Sequence, residues 1–208
     1  MKKEDSFENL YKKIDATSKT RFHASRRLKL HSKLSTHTVV IISLGLILIS
    51  LLQAYDLGNN IDSKLVALVQ VFSAIAVLVY SLLIERNDYS NLSEKMYSCA
   101  AKLGELKQRV YPHLGQQFKQ DTYDELRKDY HSILKLFETH SNSDFRADYF
   151  RAKLEMPENY KIEGLEWRRT KIYIALSHIL AFSSYAVVIV AIIAVLSWIW
   201  FGSSPTDS

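Results

Sequence analysis

The residues that could carry catalysis are few and lie scattered along the chain. Cys99 is the only cysteine, so the chain can form neither an intrachain disulfide nor a thiolate metal cluster. No two of the seven histidines lie four positions apart beside a carboxylate, the arrangement that binds a catalytic zinc on a helix. The sequence also has no P-loop, no dinucleotide-binding glycine motif and no nucleophile elbow. We therefore predict no enzyme activity, no metal and no cofactor.

Two ionisable features need separate interpretation. His178 lies in a long apolar segment, and we interpret it as a hydrogen-bonded residue near a membrane interface; a proton relay is the alternative. Four acidic residues share one face of a predicted helix: Asp121, Asp124, Glu125 and Asp129. The neighbouring bases Arg127 and Lys128 favour a solvated surface with ion pairs four residues apart over a binding site.

Neutral polar side chains recur at helical spacing in three long apolar segments. They are Ser43, Ser50 and Gln53 in the first segment, Gln70, Ser73, Tyr80 and Ser81 in the second, and Ser177 and Ser184, which share a face with Ala181, in the third. Packing through small residues and hydrogen bonds between helices would explain them. The functional alternative is a wet pore lining that several subunits share, because three helices of one chain cannot enclose a pore.

Basic residues flank these segments on one side. They include Arg26, Arg27, Lys33, Arg168, Arg169 and Lys171. Contacts with lipid headgroups account for them, and in a ring of subunits they would also place positive charge at the inner mouth of a pore. The bases are dispersed along helices and accompany no aromatic stacking platform. We therefore expect membrane lipids as partners and no direct nucleic-acid binding.

Three charge-free segments supply the helices that would position these groups. No Asp, Glu, Lys or Arg occurs at positions 34–55, 65–84 or 172–206. Each segment is long enough to span a bilayer, which takes about 20 apolar residues of helix. The absence of ionised residues within them disfavours an ion-coupled transporter. In a chain of 208 residues, this leaves room for one small soluble domain.

The distribution of charge predicts the orientation. Residues 1–36 hold ten bases and four acids, whereas the loop at 56–64 holds one base and two acids. Because cytoplasmic flanks carry the excess of Lys and Arg, we expect the N-terminus inside, three crossings and the C-terminus outside. The basic region is too long for the n-region of a signal peptide, so the first segment is expected to be retained.

A heptad pattern follows the second span. Apolar residues alternate at spacings of three and four: Tyr89, Leu92, Met96, Cys99, Leu103, Leu106 and Val110. The pattern is in phase with the second span, which predicts one unbroken helix from about 65 to Pro112. The seam has two interpretations, packing inside one chain and contact between subunits. Glu85 and Arg86, at the membrane exit of this helix, are the candidate gate.

The predicted fold is an all-α membrane protein. Its parts are a basic amphipathic cytosolic helix at 1–36, a transmembrane hairpin at 37–84 with spans at about 34–55 and 65–84, a cytosolic helical stalk at 85–170, a third transmembrane helix at 171–201 and an outer tail at 202–208. Pro112 and Gly115 are expected to end the long helix. Two further stalk helices are expected. The first covers about 117–140, and the second, a short helix capped by Ser143 or Asp144, runs to about 154.

Several of these features together resemble a known family. They are the stretch RFHASRRL at 21–28, the two-span hairpin with its short loop, and the exit ERNDY at 85–89. They resemble the SLATT domain, the SMODS- and SLOG-associating transmembrane effector domain of bacterial conflict systems. The similarity is greatest to the fifth subfamily, whose genes often lie beside reverse transcriptases, and it covers residues 1 to about 170. The family name describes two spans, whereas this chain offers a third.

The resemblance implies a function without catalytic residues. The chain would act in the bacterial inner membrane as an antiphage effector that forms a homo-oligomer and opens a gated pore or disrupts the membrane. Growth arrest or cell death would follow. A partner, either a reverse transcriptase or a nucleotide-signalling enzyme, would act on the stalk. The alternative is a non-conducting membrane adaptor that tethers or regulates a soluble partner such as a reverse transcriptase.

Overall fold

The structure is a computed structural model that describes residues 6–61, 64–137, 145–157, 159–160 and 162–201. These residues form six α-helices and one short 3-10 turn, and they include no β-strand. The helices are α1 (Phe7–Ala54), α2 (Lys64–Asn87), α3 (Tyr89–Val110), α4 (Gln120–Leu136), α5 (Phe145–Leu154) and α6 (Gly164–Phe201), and the 3-10 turn is Tyr111–His113. The predicted all-α class is confirmed.

The chain divides into two compact units. The stalk unit comprises 1–29 and 90–178, and the span unit comprises 30–89 and 179–208, each within its described residues. Helices α1 and α6 contribute residues to both units. The predicted cap at Ser143 or Asp144 and the predicted outer tail, 202–208, lie outside the described residues.

A hydrophobic core joins three helices of the stalk unit. It joins the start of α1 to α3 and α4 through buried side chains: Phe7, Leu10 and Ile14 from α1, Cys99, Leu103, Leu106 and Val110 from α3, and Tyr123, Leu126 and Tyr130 from α4. On each helix these residues recur every three or four positions, which places them on one face. Met96 is also buried, whereas Leu92 is half-buried. Five of the seven heptad residues are therefore buried within their own chain.

The helix that was predicted to run unbroken from 65 to Pro112 is divided at Asp88. Helix α2 ends at Asn87 and α3 begins at Tyr89, and the φ angle of Asp88 between them is 38°. Aspartate is among the residues that adopt this left-handed region more often than most. The prediction was wrong here. The spacing of apolar residues shows which side chains share a face of a helix, but it does not reveal a single residue with a left-handed backbone.

The other predicted helix boundaries agree more closely. Helix α3 ends at Val110, and Gly115 adopts a φ angle of 76°, so the break expected at Pro112 and Gly115 is present. Helix α4 is shorter than the predicted 117–140, and α6 begins at Gly164, within the predicted stalk, and continues through the predicted third transmembrane helix to Phe201. Side-chain spacing locates these helices well and their ends less well.

A short loop closes one end of the span unit. The Asn60 side chain donates a hydrogen bond to the carbonyl of Trp198 (3.1 Å), and its backbone N–H donates one to the carbonyl of Ile199 (3.4 Å). These bonds satisfy carbonyls in the last turn of α6, which lack partners within the helix. Gly58 suits the loop because its φ angle is 115° and because a Cβ there would lie 3.1 Å from Ile199.

Two helical glycines differ in what surrounds them, which gives a testable contrast. A Cβ at Gly45 in α1 would lie 3.2 Å from the Cγ2 atom of Ile192 in α6, whereas a Cβ at Gly104 in α3 would meet nothing within 4 Å. Gly45→Leu is therefore expected to destabilise the protein by about 1–3 kcal/mol through overpacking. Gly104→Leu is expected to stabilise it by up to about 1 kcal/mol through helix propensity.

The measurement is the thermal unfolding midpoint of the purified full-length variants in one detergent. Gly104→Leu is the matched control because the same side chain is added to another helix. If both variants shifted the midpoint equally, close packing of α1 against α6 at Gly45 would be contradicted.

Candidate functional site

Three stretches of the structure are long and apolar enough to cross a membrane. They are α1, the stretch that begins with α2, and α6. None of the 18 residues in the most apolar stretch of α2 is buried in the single chain. Of the most apolar 18 residues of α1, only 28% are buried. Side chains such as Val71, Ile75 and Leu78 are exposed in the single chain. Exposed apolar surface on helices of this length is typical of a membrane protein.

The space between the three spans is apolar. A cavity of about 380 Å³ lies among α1, α2 and α6, with walls that include Ile42, Phe72 and Val188. Ser73 contributes the one polar side chain among its described lining residues. Water needs several polar partners to occupy a cavity, so this space offers no aqueous path through one chain.

The predicted polar stripes separate into half-buried and exposed residues. The half-buried ones are Ser43, Gln70, Ser73, Tyr80 and Ser177, and the exposed ones are Ser50, Gln53, Ser81 and Ser184. Three of the serines donate hydrogen bonds to carbonyls of their own helix, Ser50 to Leu46, Ser81 to Val77 and Ser177 to Ile174. These hydroxyls already have a partner, so burial in a bilayer costs them little.

Two glutamines link the first two spans. The Gln70 amide nitrogen lies 3.4 Å from the Gln53 side-chain oxygen, and this bond is on the exposed surface of the single chain. One hydrogen bond leaves several donor and acceptor sites of two amides unused. Such groups are costly to place against lipid tails.

An aromatic cluster in the span unit surrounds a histidine that the sequence did not single out as a site. The His31 ring is only 8% exposed, and it stacks on Phe182 at a centroid distance of 4.2 Å and on Tyr89 at 5.4 Å. Its Nδ1 atom lies 3.3 Å from the hydroxyl of Tyr185. The cluster joins α1, the first residue of α3 and α6. The sequence gives little indication of this cluster. Phe182 and Tyr185 lie one turn apart, but the helix that contains them is apolar in general, so they do not stand out.

The candidate gate and the inner-mouth bases lie mostly on the surface. Glu85 and Arg86 are exposed, and neither forms an ion pair with another residue in the described part of the chain. The bases that are exposed are Arg26, Lys33, Arg168, Arg169 and Lys171. Lys171 lies over the Trp167 ring, 3.9 Å from its centroid. Surface bases of this kind can contact lipid headgroups.

Arg27 differs from the other predicted bases because it pairs with a buried acid. Its Nε atom donates to Oδ2 of Asp148 at 3.1 Å, which joins α1 to α5 in the stalk unit. The Asp148 side chain is 1% exposed, and its Oδ1 atom accepts no hydrogen bond from the described residues. Burial raises the pKa of the Asp148 carboxyl above its ordinary value, and the Arg27 charge opposes that rise.

Lys107 and Cys99, which also lie in the stalk unit, have a shifted pKa as well. Burial tends to lower the pKa of Lys107, but its hydrogen bond and charge interaction with Asp15 outweigh burial and raise it. Burial raises the pKa of the Cys99 thiol in the core, so this cysteine stays protonated and unreactive. No group of three or more His, Cys, Asp or Glu side chains in the described ranges could hold a metal ion.

The comparison with protein families decides the identity. The sequence matches the SMODS and SLOG-associating 2TM effector domain family 5 over residues 3–199. The chain belongs to SLATT family 5. No curated protein and no solved structure matches the chain. The match extends past residue 170, where the resemblance was expected to end, and includes all of α6 except its last two residues.

Family membership makes this SLATT chain a membrane effector of conflict systems. The family description counts two transmembrane segments, whereas three stretches of this SLATT protein are long and apolar enough to span a membrane. All but the last two residues of α6 lie within the family match, so this helix belongs to the domain and is not an unrelated extension.

Proposed function

We propose that this protein is an antiphage effector that assembles as a homo-oligomer and forms a gated pore in the bacterial inner membrane. Opening of the pore would depolarise the cell and cause growth arrest or death. Its N-terminus and stalk would lie in the cytoplasm and its C-terminus outside, as the basic flanks indicate. A defence partner, either a reverse transcriptase or a nucleotide-signalling enzyme, would control opening through the stalk.

The exposed glutamine pair is the observation that carries this proposal. Gln53 and Gln70 link α1 to α2 at the surface of the span unit, where Gln53 is exposed and Gln70 is half-buried. In a lone subunit they would face lipid tails with amide groups unsatisfied. In a ring of subunits the same surface could face a wet lumen, where water completes their hydrogen bonds. The apolar cavity inside one subunit also agrees with a pore built between subunits.

The test is the membrane potential of bacteria during controlled expression, with and without the neighbouring gene. The wild-type chain is expected to depolarise the cells, alone or when phage or the partner acts. Gln53→Leu with Gln70→Leu is expected to reduce the depolarisation at least about tenfold, because an apolar lining is a barrier to hydrated ions. Gln116→Leu, at an exposed position outside the spans, is the matched control and should behave like the wild type.

The adaptor is the second candidate, and the internal hydrogen bonds of the serines favour it. Ser50, Ser81 and Ser177 each donate to their own helix, so they need neither water nor a second subunit. An adaptor would leave the membrane potential intact in every condition and would recruit a soluble partner to the membrane. Growth arrest with an intact potential would therefore overturn the pore and support the adaptor.

A further inference from the structure

The apolar cavity among the three spans opens to the outside of the span unit along α2. Leu68 and Phe72 belong to its lining, although they are 53% and 63% exposed in the single chain. Elsewhere in the lining α1 and α6 are in close contact, because a Cβ at Gly45 would lie 3.2 Å from Ile192. The cavity is therefore a cleft between α2 and the pair formed by α1 and α6, and all of its lining residues belong to the span unit.

The cleft lies at the depth of the hydrocarbon core of a bilayer. Its lining residues from α1 fall within positions 42–49, the middle of the charge-free segment 34–55. Ile49 and Val195, which also line the cleft, pack with the buried Ile199 in a hydrophobic cluster next to the loop. Side chains therefore fill the end of the cleft that faces the loop, and its opening along α2 leads sideways into the lipid.

The lining excludes most occupants. Ser73 is the one polar side chain among the described lining residues, which gives water too few hydrogen-bond partners. Empty space would deprive the lining of dispersion contacts. A helix of a second copy is too large to enter, because one helical turn with its side chains occupies roughly 400–600 Å³, whereas the cavity holds about 380 Å³.

An unbranched hydrocarbon chain meets all of these conditions. Lipid tails are as apolar as the aliphatic side chains of the lining, so a chain that enters from the bilayer loses no hydration. An apolar cavity of about 150 Å³ is enough for benzene, and this larger one can hold part of an acyl chain. We propose that each subunit binds one acyl chain of a membrane phospholipid in this cleft. The bound chain supports α2, whose most apolar stretch is not buried by protein.

The test is photolabelling of the full-length protein in vesicles of phosphatidylethanolamine and phosphatidylglycerol that contain a phospholipid with a diazirine on one acyl chain. Mass spectrometry locates the labelled residues. Label is expected on Ile42, which lines the cleft and is only 3% exposed, and on Leu44, which is 59% exposed and faces bulk lipid. Ala76→Phe adds a ring to the lining and is expected to reduce the label on Ile42 at least about tenfold, because ring and chain would overlap. The label on Leu44 should not change.

Ala74→Phe is the matched control, because it adds the same ring to an exposed position of α2 outside the described lining. It is expected to leave the label on Ile42 unchanged. An unlabelled Ile42 in the wild type, the result expected if a neighbouring subunit covered the opening, would overturn the proposal. Equal labelling of Ile42 in the two variants would overturn it as well.

Ser73→Leu is a second variant that fills the cleft, for use if the thermal unfolding midpoint shows that Ala76→Phe does not fold. It should reduce the label on Ile42 in the same way, and an unchanged label would count against the bound chain. Photolabelling requires no conducting pore, so this inference and the pore can fail separately.

Discussion

Leu103→Lys is expected to unfold the stalk unit. The Leu103 side chain is 0% exposed and lies in the core between α1, α3 and α4. The substitution removes a buried leucine, which costs about 2–5 kcal/mol, and adds an ammonium group that has no acid to pair with in that core. We expect a total loss of about 5 kcal/mol or more, comparable to the whole stability of a small domain. Limited proteolysis and circular dichroism of the purified protein measure it.

Tyr97→Lys is the control for this substitution. Tyr97 is on the same helix but is 58% exposed, and its described ring contact is an edge contact with Phe22. A loss below about 1 kcal/mol is expected, as is usual for surface positions. A soluble, folded Leu103→Lys protein that resists protease as the wild type does would contradict the core described here.

This expectation changes how the heptad seam can be tested. Lysine at Leu103 and Leu106, which lie on the predicted seam, would test a subunit contact only if these side chains were on the surface. Both are buried within one chain, so loss of assembly would follow from unfolding and would say nothing about an interface. Substitutions outside the core, such as those of the exposed Gln53 and the half-buried Gln70, can separate assembly from folding.

Asp148→Ala is expected to destabilise the stalk unit by about 3–5 kcal/mol. Removal of Asp148 takes a carboxylate away from the Arg27 guanidinium, and the Arg27 side chain is only 16% exposed, so its charge is costly to keep in this place. Thermal unfolding in detergent measures the loss. A double variant, Arg27→Met with Asp148→Ala, is the control, because it removes both charges and is expected to recover most of the stability. Equal losses in the single and double variants would show that the pair contributes packing alone.

The stability of the wild type relative to Asp148→Asn should also depend on pH. Burial raises the folded-state pKa of this carboxyl above its ordinary value of 3.8, so the folded state binds the proton more tightly than the unfolded state. Wild-type stability should therefore rise relative to Asp148→Asn as the pH falls through the raised pKa and level off below about 3.8. A difference that falls as the pH is lowered would mean that Arg27 dominates over burial.

The sequence by itself determined which segments are helical and which of them suit a membrane. Charge-free stretches at 34–55 and 65–84 follow from composition, and they coincide with apolar parts of α1 and α2. The spacing of Leu103, Leu106 and Val110 also located one apolar face. Such features are local, because the hydrophobicity of a segment and the period of a helix depend only on residues near each other in the chain.

Only the tertiary structure decided what those faces meet. Arg27 looked like one more base beside a span, but it pairs with Asp148, which lies 121 residues further along the chain. The aromatic cluster likewise combines His31 with Phe182. No spacing rule links residues this far apart, because their contact depends on how whole helices pack. The break at Asp88 could likewise not be predicted from the sequence, because the spacing of apolar residues continues through Asp88 although its φ angle is positive.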